Sequence, residues 1–252
     1  MIVKDEKRGK IRISINLWKL LIYISIIVLI ANIIIWFLNN KSNADISSEI
    51  NDNSIENKLI KIGDKEIETV EADFNKLKEK NADIKAWIKV NNTNINYPVV
   101  QANNNSFYLT HNLYKEQNSA GWIFADYRNN LETLDKNTIL YGHNRLNDTM
   151  FAELENTLNA DWYENNKYIT FNTEYKDYIG EIISAYKIKA SDFIVSNYYE
   201  ENEFINYIES IKNRSIYDFN TEVNANDKII TLYTCDDTSE YRIIVQAKLI
   251  EK

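Results

Sequence analysis

The longest apolar run in the chain lies near its N-terminus. Most of residues 17–38 are apolar, and Lys19, Ser25 and Asn32 interrupt the run. At about 1.5 Å per residue, a helix of this length matches the ~30 Å hydrocarbon core of a bilayer. Trp18 and Trp36 lie near its two ends, where indole rings favour the membrane interface. The pattern predicts one transmembrane helix over residues 17–38.

The charges on the two sides of this segment differ in sign. Residues 1–16 carry five Lys and Arg against two acidic residues, whereas residues 39–58 carry two Lys against four acidic residues. The positive-inside rule therefore predicts a cytoplasmic basic tail over 1–16 and an extracellular remainder. A cleaved signal peptide is the alternative, but its apolar core spans about 7–15 residues and ends at a small-residue site. This run is longer, so we expect an uncleaved, single-pass anchor in the cell membrane.

The pattern changes twice after the anchor. Residues 39–69 are mostly polar and show no clear period, which predicts an extracellular stalk. From about Val70, apolar residues recur at helical spacing through EADFNKLKEKNADIKAWI, which predicts one or two helical turns. We therefore expect a folded domain over residues 70–252.

Within this domain, strand-like apolar runs alternate with polar turns. Trp87–Val90 and Ile95–Val100 flank the polar segment NNTN, which predicts a hairpin. Further strand-like runs are Gly121–Ala125, Thr138–Tyr141, Tyr168–Phe171, Tyr178–Ile188, Lys228–Thr234 and Tyr241–Leu249. Helical patterns cover Met150–Leu158 and Glu203–Ile211. Short strands with few helices predict a mainly β (α+β) domain, either a closed barrel or a sandwich.

Composition narrows the chemistry. The net charge of −8 argues against a nucleic-acid binder, because such a protein needs a basic face. One cysteine excludes an intramolecular disulfide, a cysteine-based zinc site and an iron–sulfur cluster. The two histidines are far apart in sequence and no tight carboxylate cluster accompanies them, so we predict no metal site and no cofactor.

The few reactive residues stand at the ends of strand-like runs. Cys235 ends the apolar run KIITLYT, and His143 follows TILY and Gly142, where a glycine would allow a sharp turn. A Cys–His pair is the minimal device for acyl transfer through a thiol. Arg242, on the following strand, has a fork of donors suited to a developing oxyanion. From the residues alone, a structural thiol, a surface arginine and His111 as the active histidine remain open.

Several motifs, in this order, resemble the sortase family, and class B sortases of Gram-positive bacteria in particular. They are INYPVVQ, FYLTHN, GWIFADYRN, TILYGHN, TMFAEL and ITLYTCD, followed by an arginine in YRIIVQAK. The resemblance covers about residues 70–252, together with the N-terminal anchor. A helical insert between two late strands, here about residues 197–214, is also typical of that class.

The resemblance implies an eight-stranded β-barrel with peripheral helices, and a cysteine transpeptidase. Such an enzyme cleaves a C-terminal sorting signal after threonine through a thioester, and then transfers the surface protein to an amine of a peptidoglycan precursor or stem peptide. Signals of the Asn-Pro-X-Thr or Ser/Pro-Pro-X-Thr type are expected. By motif match, Cys235 is the nucleophile, His143 the general acid/base and Arg242 the oxyanion or substrate-orienting residue.

The resemblance also implies a substrate groove. Its residues would be Asn105, Leu109, Tyr141, Phe193, Ile194, Tyr233 and Thr234. Tyr233 departs from the family, which often has serine two positions before the cysteine, so the groove beside the scissile bond would differ in shape. Asp237 corresponds to an acidic residue sometimes proposed as a partner of the histidine, and loop solvation is the alternative role.

Other classes of protein fit the residues less well. An L,D-transpeptidase resembles a pattern with Ser and Gly just before the cysteine, whereas Tyr233 and Thr234 stand here. A papain-like protease has its histidine after the cysteine, and neither histidine follows Cys235. A membrane-anchored binding module, or an inactive sortase-like protein with a structural cysteine, remains the main alternative.

Overall fold

The computed structural model describes residues 2–4, 11–13, 17–63, 65–163, 166–192, 200–235 and 240–252. The chain forms two compact units, Met1–Ser42 and Asn43–Lys252. The short strands β1 (Ile2–Lys4) and β2 (Ile11–Ile13) pair antiparallel in the first unit. They are followed by a long helix, α1 (Leu17–Ser54).

Helix α1 contains the predicted membrane span. Leu17–Leu38 is the one segment among the described residues that is long and apolar enough to cross a bilayer, and its side chains are exposed. No glycine or proline occurs between residues 10 and 62, so nothing in the backbone interrupts the helix. This apolar helix is suited to anchor the chain in a membrane.

The segment predicted to be an irregular stalk is ordered as helix and hairpin. Asn43–Ser54 continues α1, and Ile46 and Ile50 are buried in the main core of the second unit. Strands β3 (Ile55–Ile62) and β4 (Lys65–Ala72) form an antiparallel hairpin. The helix and the hairpin were not predicted, because residues 39–69 are mostly polar and only a few apolar side chains pack on the domain.

Three further helices and eight strands make up the rest of the described chain, with short 3₁₀ turns between them. The helices are α2 (Phe74–Lys80), the single turn α3 (Ala160–Tyr163) and α4 (Glu201–Arg214). The strands are β5 (Ile84–Val90), β6 (Asn96–Val100), β7 (Phe124–Ala125), β8 (Asn137–His143), β9 (Tyr168–Thr173), β10 (Asp177–Lys189), β11 (Lys228–Cys235) and β12 (Tyr241–Glu251). The 3₁₀ turns are Phe107–Leu109, Ala152–Leu158 and Ala190–Asp192.

These eight strands close into a barrel, in the order β10-β12-β11-β8-β7-β6-β5-β9. Neighbouring strands are antiparallel, except that β8 pairs with β11 and β6 with β7 in parallel. Closure leaves no free sheet edge, which removes the usual route to edge-to-edge aggregation. The predicted eight-stranded barrel with peripheral helices, preceded by one apolar helix, is confirmed.

Most predicted elements lie where the pattern put them. The hairpin of β5 and β6 and the helix α4 are present with small shifts at their ends. The helical pattern at Met150–Leu158 forms a 3₁₀ turn at Ala152–Leu158 instead of an α-helix. Val70, which was assigned to a helical pattern, lies in strand β4.

The two faces of β11 contact different layers. Ile230 and Leu232 belong to the main core, whereas Ile229 packs with Phe204 of α4 in a second cluster, against which Tyr233 lies partly buried. Side chains alternate along a strand, so the residues at odd positions of β11 share the face that α4 covers. We call this the outer face of the sheet.

Ile50 tests whether the end of α1 is part of the folded domain. Its side chain is fully buried, so Ile50→Ala should lower the free energy of unfolding by about 2–5 kcal/mol. Leu59 lies in the same polar stretch but is 68% exposed. Leu59→Ala should therefore change the free energy of unfolding by no more than about 0.5 kcal/mol. Urea unfolding of the full chain in detergent, followed by tryptophan fluorescence, measures both. Equal effects would contradict the packing of α1 on the domain.

Candidate active site

Cys235 and His143 lie opposite each other at the C-terminal ends of β11 and β8. The two strands are paired in parallel register from Ile229↔Asn137 to Cys235↔His143. Both strands are rich in β-branched and aromatic residues, which favour extended backbone. The fold therefore brings two residues that are about ninety positions apart in sequence to the same strand ends.

Arg242 belongs to the strand on the other side of β11. Strand β12 runs antiparallel to β11, and the paired register ends with Tyr233 opposite Ile244. Arg242 lies two residues beyond that last pair, towards the end of β11 that carries Cys235. Ile244 packs in the outer cluster, so position 242 is also on the outer face. The guanidinium of Arg242 donates from Nη1 to the carbonyl of Tyr241 at 3.0 Å. Three adjacent strands thus carry the three predicted catalytic residues to one place.

The imidazole of His143 has a fixed partner. Its Nε2 lies 2.8 Å from the carbonyl oxygen of Leu109, in the 3₁₀ turn Phe107–Leu109. A carbonyl oxygen only accepts, so Nε2 carries the proton in this contact. In the neutral ring, Nδ1 then holds the lone pair. The contact with Leu109 therefore sets both the tautomer and the orientation of His143.

The second histidine has a structural position. His111 stacks on the Phe107 ring, with centroids 4.1 Å apart, and its Nδ1 lies 2.8 Å from the Phe107 carbonyl oxygen. It also bridges to Gln117 through the backbone. These contacts stabilise the loop around the 3₁₀ turn, while β8 and β11 place His143 opposite Cys235.

Two glycines allow close packing beside His143. Gly121 has φ +56°, and a Cβ there would lie 2.5 Å from the Tyr108 oxygen and 2.7 Å from the Leu109 oxygen. Gly142 lies inside strand β8, where a Cβ would lie 2.8 Å from the Phe151 ring. The sharp turn predicted at Gly142 is therefore wrong, because its glycine is required by the packing of Phe151 and not by a special backbone conformation.

The predicted groove residues Tyr141 and Tyr233 are neighbours. They are in register across β8 and β11, and their rings lie edge to face with centroids 5.4 Å apart. Each stands two residues before a predicted catalytic residue along its strand. The ring of Tyr233 packs against that of Tyr141 at this place.

Asn105 and Leu109 are the other groove residues that the structure describes. Asn105 precedes the 3₁₀ turn and Leu109 ends it, so the two stand at opposite ends of one short segment. The segment is tied to β8 through the contact between Leu109 and His143. Both side chains are partly exposed, as a ligand-binding role requires.

The hydroxyl of Thr234 is used inside the sheet. Thr234 is buried, and its Oγ1 accepts a hydrogen bond from the backbone N–H of Ile243 at 2.9 Å. It alternates with Tyr233 and therefore belongs to the opposite face of β11. Its contacts stabilise the pairing of β11 with β12. The predicted residues Phe193, Ile194 and Asp237 lie outside the described residues.

A buried carboxylate that the sequence did not single out joins several of these residues. Asp126 follows β7, and its side chain is fully buried beside Arg128. Burial by itself would raise its pKa, but hydrogen bonds from Arg128, Asn105 and Tyr141 lower the pKa to about 2. The spacing of Asp126 and Arg128 was a local signal for a charge pair. The contacts with Asn105 and Tyr141 join distant parts of the chain and had no such signal.

Among the described residues, no group of three or more His, Cys, Asp or Glu side chains is arranged to hold a metal ion. The groups available for chemistry at this site are the imidazole of His143 and the guanidinium of Arg242, near Cys235.

Gly121 offers a matched test of the packing under His143. Gly121→Ala and Gly63→Ala both place alanine at a positive φ, but only the first introduces a clash, because nothing lies within 4 Å of a Cβ at Gly63. We expect Gly63→Ala to lower stability by about 1 kcal/mol and Gly121→Ala by several times as much. Thermal unfolding of both variants measures the difference, and equal losses would show that the Leu109 carbonyl is not held against residue 121.

Comparisons with known proteins identify the family. A sequence profile of the family described as Sortase domain matches residues 88–250, more than half of the chain. Sortase B of Listeria monocytogenes is 38% identical over 181 residues, covering 70% of this chain and 73% of the relative.

Solved structures give the same result. A sortase B-like protein from Bacillus anthracis is 32% identical, with a TM-score of 0.74 over 84% of this chain and 97% of that one. The sortase B–substrate complex of Staphylococcus aureus is 37% identical, with a TM-score of 0.68 over 71% of this chain and 85% of that one. The chain therefore belongs to the sortase family of cell-wall cysteine transpeptidases, within the sortase B group.

Proposed function

We propose that this protein is a membrane-anchored transpeptidase that cleaves a C-terminal sorting signal after threonine and transfers the surface protein to a peptidoglycan amine. The observation that carries the proposal is the register of Cys235 with His143, together with Arg242 on the adjacent strand. A nucleophile, a proton carrier and an oxyanion donor at one site are the minimum that acyl transfer through a thiol requires.

The first half-reaction forms a thioester. The thiolate of Cys235 attacks the carbonyl carbon of the threonine, and Arg242 stabilises the negative charge that develops on its oxygen. The C–N bond then breaks, and the amine leaves with a proton supplied by His143. Because Leu109 holds Nε2 of His143, the nitrogen that exchanges this proton is Nδ1.

The second half-reaction releases the product. An amine attacks the thioester carbonyl carbon, His143 accepts the proton of the amine, and the C–S bond breaks to restore the cysteine. A different sortase B has been solved as a complex with triglycine, a peptide with a free amino group. By analogy, we expect the acceptor here to be the amine of a peptidoglycan precursor or stem peptide.

The sorting signal is expected to be Asn-Pro-X-Thr or Ser/Pro-Pro-X-Thr. Asn105, Leu109 and Tyr141 would line the groove for it, with Tyr233 next to the scissile bond. The aromatic pair of Tyr141 and Tyr233 makes this part of the groove bulkier than a serine would. We therefore expect a preference for small residues beside the threonine.

The apolar segment Leu17–Leu38 would hold the enzyme in the cell membrane. The basic residues before it favour a cytoplasmic N-terminus, and the catalytic domain would then be extracellular. That location matches a reaction whose acceptor is a cell-wall precursor.

A peptide library tests the proposed reaction directly. The full chain in detergent, as wild type and Cys235→Ala, is incubated with fluorogenic Asn-Pro-X-Thr, Ser-Pro-X-Thr, Pro-Pro-X-Thr and Leu-Pro-X-Thr peptides, with and without triglycine. We expect the wild type to cleave after threonine and to carry an acyl adduct that the Cys235→Ala variant lacks. A wild type that neither cleaves nor is acylated by any peptide would favour a binding-only relative with a structural cysteine.

The two histidines provide a matched pair of variants. His143→Ala should lower kcat/KM by at least about 100-fold, because it removes the general acid/base. His111→Gln should stay within a few-fold of the wild type, because His111 contributes only loop contacts. Initial rates normalised to folded protein measure both variants. An inactive His111→Gln beside an active His143→Ala would reverse the assignment.

A further inference from the structure

The carboxylate of Asp126 is surrounded by donors from three parts of the chain. Oδ1 accepts from the backbone N–H and Nε of Arg128, both at 2.9 Å. Oδ2 accepts from Nη2 of Arg128 at 2.7 Å, and from Nδ2 of Asn105 and the hydroxyl of Tyr141, both at 2.9 Å. Both oxygens are therefore engaged by the protein itself, so Asp126 acts through its neighbours and not by direct contact with a ligand.

Asp126 is itself fixed to the barrel. Its N–H donates to the carbonyl of Ile139 in β8 at 2.9 Å, and its carbonyl accepts from Nε2 of Gln101 at 2.8 Å. A buried carboxylate held in this way is a rigid reference point, because moving it would break several charge-assisted hydrogen bonds at once. The low pKa of Asp126 keeps it ionised over the whole physiological range of pH.

The contacts of Asn105 determine which way its amide faces. Nδ2 donates to Asp126, and Oδ1 accepts from the backbone N–H of Tyr127 at 2.9 Å. With both ends of the amide assigned, the second N–H of Asn105 has a fixed direction. The same segment ends at Leu109, which holds His143. The segment from Asn105 to Leu109 is therefore held at both ends, by Asp126 at its start and by His143 at its end. This fixes the position of Asn105 relative to the catalytic histidine.

Tyr141, in strand β8, is also held by the carboxylate of Asp126. Its hydroxyl bond to Asp126 fixes a ring that lies 5.2 Å from Phe124 and 5.4 Å from Tyr233, measured between ring centroids. Tyr233 stands two residues before Cys235. One carboxylate thus connects the loop that carries Asn105 with the strand end that carries the reactive residues.

We propose that Asp126 is a positioning residue for the sorting signal, because it orients the amide of Asn105 and the phenol of Tyr141 in the substrate groove. This inference rests on the proposed function, since it assigns both neighbours to the groove. It predicts that Asp126 affects the binding of the peptide and leaves the reactivity of the thiol unchanged.

The main test is Asp126→Asn in the full chain in detergent, with the peptide that the wild type cleaves best. An asparagine of the same shape loses one acceptor and the negative charge, so we expect kcat/KM to fall about tenfold or more, mostly through a higher KM. The rate at which iodoacetamide alkylates Cys235 should equal that of the wild type. Because Asp126 is ionised throughout, the ratio of the two kcat/KM values should be constant from about pH 5.5 to 8.5.

A double-mutant cycle separates positioning from a general loss of structure. Because Asp126 acts through Asn105 as well as through Tyr141, Asp126→Asn should lower kcat/KM by less in the Asn105→Ala background than its roughly tenfold effect in the wild type. Asp126→Glu keeps the charge but displaces the oxygens by one methylene, and its KM should also rise. Full additivity in the cycle, or a wild-type KM in folded Asp126→Glu, would overturn the proposal.

Asp227 provides the matched control. Its carboxylate is also largely buried and paired with a lysine, Lys248, at 2.9 Å, but it precedes β11 at the end opposite Cys235, about 25 Å away along the strand. Asp227→Asn should lower stability and leave KM unchanged. An equal rise of KM in both Asp variants would overturn the positioning role. A wild type that is neither acylated by any peptide nor cleaves one would overturn the proposed function and this inference together. An active wild type beside a fully active, folded Asp126→Asn would overturn this inference alone.

Discussion

The parallel pairing of β8 with β11 is the contact on which the site depends. Parallel neighbours need a long connection, and here it contains β9, β10 and α4, which close the barrel and cover its outer face. Once the two strands are in register, Cys235 stands opposite His143, and β12 brings Arg242 to the other side of β11. A shift of one residue in this register would move one partner to the opposite face.

The two faces of strand β11 have different roles in the barrel. One face of β11 packs into the main core through Ile230 and Leu232, while the other face carries the residues near position 235. A closed barrel has no free edge, so its strand ends are held rigidly and provide a stable base for the site. The contacts of Leu109 with His143, and of Asp126 with Asn105 and Tyr141, extend this rigidity to a loop that would otherwise be free to move.

Helix α1 combines two different roles in one element. Its first part is apolar on all sides and exposed, as a membrane-spanning helix is, whereas Ile46 and Ile50 near its end are buried in the domain core. The end of α1, from Asn43 onward, therefore belongs to the second unit and contributes to its core.

The sequence by itself determined the apolar N-terminal helix, most strands, a barrel or a sandwich as the fold class and, through its motifs, the family with its eight-stranded barrel. These depend on local periodicity or on short motifs, such as TILYGHN and ITLYTCD, which can be identified without knowing any distant contact. Residues alone left His143 and His111 as alternatives, and the fold places His143 opposite Cys235 because only β8 pairs with β11 in parallel. The burial of Ile50, the packing requirement at Gly142 and the hydrogen bonds of Asp126 with Asn105 and Tyr141 were also decided by tertiary structure. Each of these features depends on contacts between segments far apart in the chain, and such contacts cannot be predicted from a local sequence pattern.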